Sequence, residues 1–297
     1  MNIKSLLRIS AVGAVALGVT FTSAPADAKE KLTMWSHFAD HAAVRALFSE
    51  LEATFEKENP NVDLDMTFYE KKSLFAAQMT ALRAGAGPDI MYLEPDRVQF
   101  LDAGFVTPLN DLMDLDRLED FAKEAWTRDG KVYALGMQAF TVENYYRKDL
   151  MDQIGVKLPD DFTQTQSEYL DMIKKASAAG ITPIVQGIGD RPYPGSYLTH
   201  ELLLRKLGRD DYAKLWAGTL SFKDKRVVEV FDFMKQVIDA GAYPKTFTTM
   251  KLGESHLYFH TKPGGLTFPL GSWYSSRAFN DSSKGGQPDG FPLGIMQ

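Results

Sequence analysis

The sequence predicts an α/β protein of two domains. Short segments with the two-residue periodicity of strands alternate with longer segments of helical periodicity, which is typical of a largely parallel sheet with helices on both faces. The chain has 297 residues, about twice the ~150 residues of an ordinary domain. Its content of 44% hydrophobic and 12% aromatic residues is sufficient for a packed core.

In the first half of the chain the predicted strands and helices alternate regularly. The strands are Lys31–Trp35, Val62–Phe68 and Ile90–Leu93, and the second of them alternates apolar with polar residues. Helical spacing of apolar residues predicts helices over 44–55 and 74–82. Asp129-Gly130 predicts a tight turn between two short extended pieces.

The second half is predicted to be more helical. We expect helices over 169–179, 196–207 and 227–238, the first behind a capping box at Thr163–Gln166. Strands are expected over 182–186 and 264–270, and a further strand begins at Phe291. The strand–helix pattern therefore extends through both halves of the chain.

The N-terminal segment Met1–Ala28 has the layout of a cleavable secretory signal peptide. Basic residues (Lys4, Arg8) precede the apolar run Ile9–Phe21, and Ala26-Asp27-Ala28 forms the small-residue exit, so cleavage is expected after Ala28. The apolar run is shorter than the about 20 residues that span a bilayer. A retained membrane anchor is the less favoured alternative.

The chain contains no cysteine, which excludes disulfides, thiolate nucleophiles and a lipid-bearing cysteine. We therefore expect a freely soluble exported protein, located in a Gram-negative periplasm. Removal of Lys4, Arg8 and Asp27 with the signal peptide changes the formal net charge from -6 to -7. Nucleic acid is an unsuitable partner for such a chain, because phosphate binding needs a cationic face.

The five histidines include two pairs spaced four residues apart, His37/His41 and His256/His260. Imidazoles at this spacing could hold zinc together with a carboxylate, which would make the protein an exported metal-dependent hydrolase. Packing roles are favoured, because His37 ends a strand and His256 and His260 flank aromatic residues. We therefore expect no enzyme activity and no metal or other cofactor, and keep the hydrolase as the alternative. Gly187-Ile-Gly189 is followed by Pro192 where a phosphate-binding motif needs a third glycine.

Aromatic residues at predicted strand ends suggest a different chemistry. Trp35 ends the first strand, Tyr193 lies between two prolines, and Trp273 and Tyr274 follow the strand over 264–270. Ligands of open α/β sheets bind beyond the carboxyl ends of strands. Aromatic faces there, beside carboxylates such as Glu94, suit a sugar, whose C–H face packs on the ring while its hydroxyls bond to polar groups.

Motifs spread along nearly the whole exported part resemble those of a known family. The matching stretches are LTMWS (32–36), FEKENP (55–60), AGAGPDI (84–90), FLDAGFVTPL (100–109), DGKVYAL (129–135), YYRKDLMDQIG (145–155) and GLTFPLGSWY (265–274). In order and spacing they resemble the periplasmic substrate-binding proteins of carbohydrate ABC importers, of the maltose-binding type.

The resemblance implies a two-lobe periplasmic-binding-protein (Venus-flytrap) architecture, with hinge strands and a ligand cleft. The first lobe would comprise 29–138 and 264–297, and the second 139–263. Members of the family extend well past the equivalent of residue 297, so the second lobe is expected to be incomplete.

The resemblance also implies a function and a set of ligand-binding residues. These are Trp35, His37, Asp40, Glu94, Gln138, Tyr193, Trp273, Tyr274 and Arg277. The two tryptophans would stack on the sugar, and Glu94, Gln138 and Arg277 would bond its hydroxyls; Asp40 has a helix-capping role as its alternative. The expected protein is a monomeric receptor that binds a carbohydrate or polyol and delivers it to membrane permease subunits. A receptor for a non-sugar solute, such as a peptide, an amino-acid conjugate or a metal, stays open.

Overall fold

The computed structural model describes residues 29–39, 41–261, 264–278 and 286–296, without the side chains of Ser276 and Arg277. The chain divides into two compact units, the first ending at Met137 and the second beginning at Gln138. Both contain helices and a sheet, as the sequence predicts. The predicted signal peptide, residues 1–28, lies outside the described residues. Within the described ranges, none of the helices combines the length and apolar character needed to cross a lipid bilayer.

The first unit is built on a three-stranded parallel sheet in the order β2-β1-β3. Its strands are β1 (Glu30–Ser36), β2 (Val62–Phe68) and β3 (Ile90–Met91). Its helices are α1 (Ala42–Glu58), α2 (Lys71–Arg83), α3 (Val98–Asp102) and α4 (Asp120–Trp126). The predicted strands and helices of this half are confirmed, and all three strands run in one direction, so their carboxyl ends share one edge of the sheet.

A small antiparallel hairpin, β4 (Thr127–Arg128) and β5 (Lys131–Val132), completes the described part of the first unit. Its two turn residues, Asp129 and Gly130, both have positive φ, 51° and 74°. Positive φ at both central positions matches the right-handed twist of the flanking strands. The predicted Asp129-Gly130 turn is confirmed.

The second unit has a four-stranded mixed sheet in the order β7-β8-β6-β9. Its strands are β6 (Val142–Arg147), β7 (Thr182–Ile184), β8 (Gly265–Gly271) and β9 (Leu293–Met296). Its helices are α5 (Lys148–Gln153), α6 (Gln166–Ala178), α7 (Tyr197–Trp216), α8 (Lys225–Asp239), α9 (Leu252–His260) and α10 (Tyr274–Ala278). β8 is parallel to β7, whereas β6 is antiparallel to both β8 and β9. The largely parallel sheet that the sequence predicts is therefore found in the first unit only.

The strand β8 is found where it was predicted, but it pairs with strands of the second unit, whereas the resemblance implies that 264–297 belongs to the first lobe. All seven of its residues are buried, and it pairs on one side with β6 and on the other with β7, both of the second unit. Grouping 264–297 with the first lobe therefore disagrees with this pairing. Periodicity indicates that a strand exists, but the partner is set by which neighbours cover both of its edges. Pro269 is tolerated because the pairing with β7 ends at Thr267.

The two faces of this sheet pack against different helices. One face meets α6 and α8 through residues such as Ile173, Val237 and Ile184. The other face carries an aromatic cluster around Phe259, Phe268 and Tyr274. The start of β6 and the end of β8 lie next to each other, and they position Trp273, which is described below.

The capping box of α6 lies two residues beyond its predicted position. The Thr165 backbone N–H donates to Glu168 Oε2 over 2.8 Å, and the Glu168 N–H donates to Thr165 Oγ1 over 3.3 Å. Thr163 instead donates from its backbone N–H to Asp161 Oδ1. Glu168, the third residue of α6, determines which residue caps the helix, because its carboxylate accepts the free backbone N–H of Thr165.

Candidate functional site

Three aromatic residues lie where the parallel strands of the first unit end. Trp35 lies near the end of β1, Tyr69 directly follows β2, and Tyr92 directly follows β3. The Trp35 and Tyr69 ring centroids are 5.0 Å apart, and the Tyr92 N–H donates to the Trp35 carbonyl over 2.9 Å. Because the carboxyl ends of parallel strands share one edge of the sheet, the three aromatic residues lie along that edge. We call this group, with His37, Glu94 and Lys71, the edge cluster.

His37 packs into the edge cluster through rings on both sides. Its ring centroid lies 4.1 Å from that of Tyr92 and 3.6 Å from that of Phe38. Phe38 has a φ of 85°, a left-handed conformation that is unusual for a bulky residue. Its side chain is buried next to Phe48. The buried Phe38 ring therefore fixes the turn that places His37 beside Tyr92.

Glu94 is a carboxylate held in place by its neighbours. It forms an ion pair with Lys71, and its Oε1 accepts from the Tyr92 hydroxyl over 3.4 Å. The Arg97 guanidinium lies 3.8 Å from Oε2 and packs 4.3 Å from the Phe75 ring centre. About a quarter of the Glu94 side chain is exposed. The carboxylate is thus oriented by its neighbours and still accessible to a hydroxyl group.

A second set of aromatic rings lies in the second unit and forms a continuous row. The Trp273 ring centroid is 5.1 Å from that of Phe140, in an edge-to-face arrangement, and 6.1 Å from that of Tyr197. Tyr197 is in turn 5.8 Å from Tyr193. We call Phe140, Trp273, Tyr197 and Tyr193 the aromatic row. The structure therefore brings the predicted residues Tyr193 and Trp273 together through Tyr197, the first residue of α7.

The position of Trp273 depends on glycine and on two backbone contacts. A Cβ on Gly271 would lie 1.8 Å from the Trp273 ring, so the indole can fold over the end of β8 only because residue 271 has no side chain. The Ser272 N–H donates to the Thr141 carbonyl over 2.8 Å, and the Thr141 N–H donates to Ser272 Oγ over 3.3 Å. These contacts join the start of β6 to the end of β8 beneath the ring.

Tyr274 was expected to contact ligand but is a core residue. Only 2% of its surface is exposed, and its hydroxyl lies 2.6 Å from Nε2 of the buried His260. Burial raises the pKa of Tyr274 well above its ordinary value. Tyr274 begins α10 and its ring lies in the buried cluster with Phe259 and Phe268, whereas Trp273 precedes the helix and is only partly buried.

Three predicted residues remain: Asp40, Arg277 and Gln138. Asp40 lies outside the described residues, and α1 begins at Ala42 with His41 at its N-cap position. Arg277 lies in α10, but its side chain is outside the described part. Gln138 is exposed at the start of the second unit.

A cavity of about 430 Å³ lies beside the aromatic row, within the second unit. Tyr197 belongs to both, and Tyr169 and Phe233 contribute apolar walls. Burial raises the pKa of Tyr169 to about 12, with Asn144 and Thr267 acting in the opposite direction. The phenol is therefore neutral at physiological pH.

Comparison with known proteins identifies the family. Residues 35–251 match the family model described as bacterial extracellular solute-binding protein. The chain belongs to this family. The match runs from Trp35 of the edge cluster past Tyr197 of the aromatic row. The description of this family is one of solute binding outside the cytoplasm.

Three similar proteins agree with this assignment. The multiple sugar-binding protein of Streptococcus mutans is 23% identical over 277 residues, which cover 90% of this chain and 64% of that protein. The maltotriose-binding protein of Pyrococcus abyssi is 31% identical over 113 residues, covering 37% of this chain and 25% of that protein. A solved structure from work on xylan utilization by Caldanaerobius polysaccharolyticus has a TM-score of 0.74 at 24% identity, covering 89% and 66%. The chain thus spans less than two thirds of these proteins' length.

The paired histidines pack against aromatic rings in the structure. His256 and His260 lie in α9, both buried, and the His256 ring stacks on Tyr274 with centroids 5.8 Å apart. His37 and His41 do not share a helix. Among the residues that the structure describes, no three His, Cys, Asp or Glu side chains are grouped so that they could hold a metal ion. The comparisons give the hydrolase alternative no support.

Five residues of the edge cluster and the aromatic row were missed from the sequence: Tyr69, Lys71, Tyr92, Phe140 and Tyr197. Tyr69 and Tyr92 directly follow β2 and β3, so the rule that selected Trp35 could have found them. Lys71 and Tyr197 begin helices that follow loops. Nothing in their local sequence indicates which strand end they approach.

Proposed function

We propose that this protein is the receptor of an ABC importer for a carbohydrate or polyol. The observation that carries the proposal is the aromatic row, whose four ring systems follow one another at centroid distances of 5.1–6.1 Å. Rings in such a row present flat apolar faces to the C–H faces of a sugar. Two of the similar proteins are named for binding multiple sugars and maltotriose, which supports the same ligand class.

The edge cluster of the first unit is a second proposed sugar-contacting group, and its contacts are mainly polar. Glu94 accepts hydrogen bonds from sugar hydroxyls, and its ion pair with Lys71 keeps the carboxylate oriented before ligand arrives. Trp35 adds a further stacking surface beside Tyr69. A micromolar affinity corresponds to about -8 kcal/mol, which a few stacked rings and charge-assisted hydrogen bonds can supply.

The N-terminal sequence supports the proposed location, and the family supports the proposed partners. The proposed mature protein starts at Lys29 after signal cleavage, and floats free in a Gram-negative periplasm because it has no cysteine to carry a lipid. It acts as a monomer and delivers ligand to the transmembrane permease subunits of its importer. Intact-mass measurement of the exported protein tests the cleavage site, and an N-terminus other than Lys29 contradicts it.

A thermal-shift screen of the mature chain tests the function. The panel contains sugars, polyols, amino acids, short peptides and divalent metals. A ligand that binds only the native state stabilises it by about 2.7 kcal/mol at 100 times its Kd, so a sugar or polyol should raise the melting temperature. A shift with peptides or amino acids alone would replace the sugar with another solute, and a shift with zinc alone would revive the hydrolase.

A further inference from the structure

The loop that carries Tyr193 is pressed against the segment before α9. The Ile188 N–H donates to the Phe247 carbonyl over 3.0 Å, and the Gly189 N–H donates to the Met250 carbonyl over 2.9 Å. A Cβ on Gly187 would lie 2.3 Å from the Met250 oxygen, and one on Gly189 2.1 Å from the Thr249 oxygen. The Gly187-Ile-Gly189 motif is thus explained by close backbone packing and not by phosphate binding.

Asp190 attaches this loop to the start of α9. Its Oδ1 accepts the Leu252 N–H, the first helical N–H, over 2.9 Å. Such an N–H has no acceptor within the helix, and an anion there is favoured by the helix dipole. The other oxygen, Oδ2, accepts from Arg191 Nε over 3.4 Å. Asp190 therefore joins α9 to the next residue of the loop.

Arg191 continues the connection to the aromatic row. Its Nη1 donates to the Tyr193 hydroxyl over 3.4 Å. About three quarters of the Asp190 side chain is shielded from solvent, and a similar share of Arg191. The contacts of Arg191 with Asp190 and with the Tyr193 hydroxyl are both 3.4 Å long, so each is weak alone. The positive charge of the guanidinium donor strengthens them. The start of α9, Asp190, Arg191 and Tyr193 therefore form one chain of polar contacts.

We propose that Asp190 and Arg191 are positioning residues for Tyr193. They hold the phenol so that its ring stays in the aromatic row, and they act on the sugar through Tyr193 without touching it. The inference rests on the proposed sugar-binding function. Loss of the guanidinium should leave the Tyr193 ring less fixed and weaken sugar binding, whereas a partly exposed contact of this kind adds little to folding stability.

A double-mutant cycle tests whether Arg191 acts through the Tyr193 hydroxyl. The variants are Arg191→Met, which keeps much of the apolar stem, Tyr193→Phe, and both together. Each single change should weaken sugar affinity about 3- to 10-fold, and the double variant should bind no worse than either single variant. Independent effects that multiply in the double variant overturn the proposal. Arg128→Met is the control, since Arg128 pairs with Asp102 in the first unit.

A ligand-free measurement separates this proposal from the sugar-binding function. The protein is labelled with 3-fluorotyrosine, and the Tyr193 ¹⁹F signal is identified by its loss in Tyr193→Phe. Arg191→Met should shift that signal, as should Asp190→Asn, which keeps an acceptor for the Leu252 N–H but removes the charge facing Arg191. Arg128→Met should not shift it. An unmoved signal in Arg191→Met overturns the positioning role even if sugar binds, whereas a shifted signal without any sugar binding overturns the proposed function alone.

Discussion

The edge cluster and the aromatic row contain the same kind of ring but are built in different ways. In the edge cluster, three parallel strands each end beside an aromatic residue, and an ion pair with Lys71 fixes Glu94. In the aromatic row, Trp273 follows a strand that pairs antiparallel with β6, and its place depends on Gly271 and the Ser272–Thr141 contacts. Parallel strand direction brings the aromatic residues of the first group to one edge of the sheet, whereas the second group needs a particular glycine and a particular loop.

This difference in construction predicts a difference in contribution. The aromatic row consists of uncharged rings, so it should supply apolar stacking that responds little to salt. The edge cluster contains Glu94 and Lys71, with Arg97 beside Glu94, so it should supply oriented hydrogen bonds whose strength depends on charge. Substitutions in the two groups should therefore differ in size and kind.

The largest effect is expected from Trp273→Ala. Loss of the central indole removes the stacking surface between Phe140 and Tyr197, so sugar affinity should fall about 10- to 100-fold in titration calorimetry. Trp216→Ala is the matched control, because Trp216 is 51% exposed on α7 and belongs to neither group. Equal losses in the two variants would contradict the special role of the row.

Gly271→Ala should weaken sugar affinity about 10-fold, although it changes none of the four aromatic residues of the row. The new Cβ overlaps the Trp273 ring and displaces it, with a further cost of about 1–3 kcal/mol in the free energy of unfolding. Calorimetry and urea denaturation measure the two effects. Gly253→Ala in α9 is the control, because a Cβ there meets nothing within 4 Å. Unchanged affinity in Gly271→Ala would show that the indole position is not set by this glycine.

In the edge cluster, Glu94→Gln should reduce sugar affinity about 5- to 10-fold. The amide keeps the shape of the carboxylate but removes its charge and its ion pair with Lys71. The loss should shrink at high salt, because screening already weakens the charged contacts in the unmodified protein. Glu168→Gln, which alters a capping carboxylate on α6, serves as the comparison. A loss that is the same at all salt concentrations argues against a charge-based role.

The smallest effect on binding is expected from Tyr274→Phe. The Tyr274 hydroxyl contacts the buried His260, so its removal should lower the free energy of unfolding by about 1 kcal/mol and leave sugar affinity unchanged. Chemical denaturation and calorimetry check both parts. A clear loss of sugar affinity would contradict the core role of Tyr274 and indicate that it contacts the ligand.

The sequence predicted the α/β class, most strands and helices, and the aromatic residues at two strand ends. It missed β6, because VENYYR mixes charged and aromatic residues and shows neither a clean alternation nor an apolar run. The lobe bounds that the resemblance implies put 264–297 with the first lobe, whereas β8 pairs with β6 and β7 of the second unit.

Within the candidate site, the sequence identified types of residue better than their orientation. Trp273 and Tyr274 are neighbours of similar chemistry, yet one joins the row and the other enters the core. The difference arises from where α10 begins, and residues such as Tyr197 and Lys71 reach their groups only through tertiary packing. The local sequence predicts neither the first residue of α10 nor this tertiary packing.

The most direct test of the account uses the four tryptophans of the chain as separate reporters. Indole N–H signals of ¹⁵N-labelled mature protein are assigned by single substitution of Trp35, Trp126, Trp216 and Trp273, and then followed while the sugar found in the screen is added. The account predicts that the signals of Trp35 and Trp273 move with saturation, while those of Trp126 and Trp216 stay in place. A saturable sugar response that spares Trp273, or that is confined to Trp126 and Trp216, would contradict it.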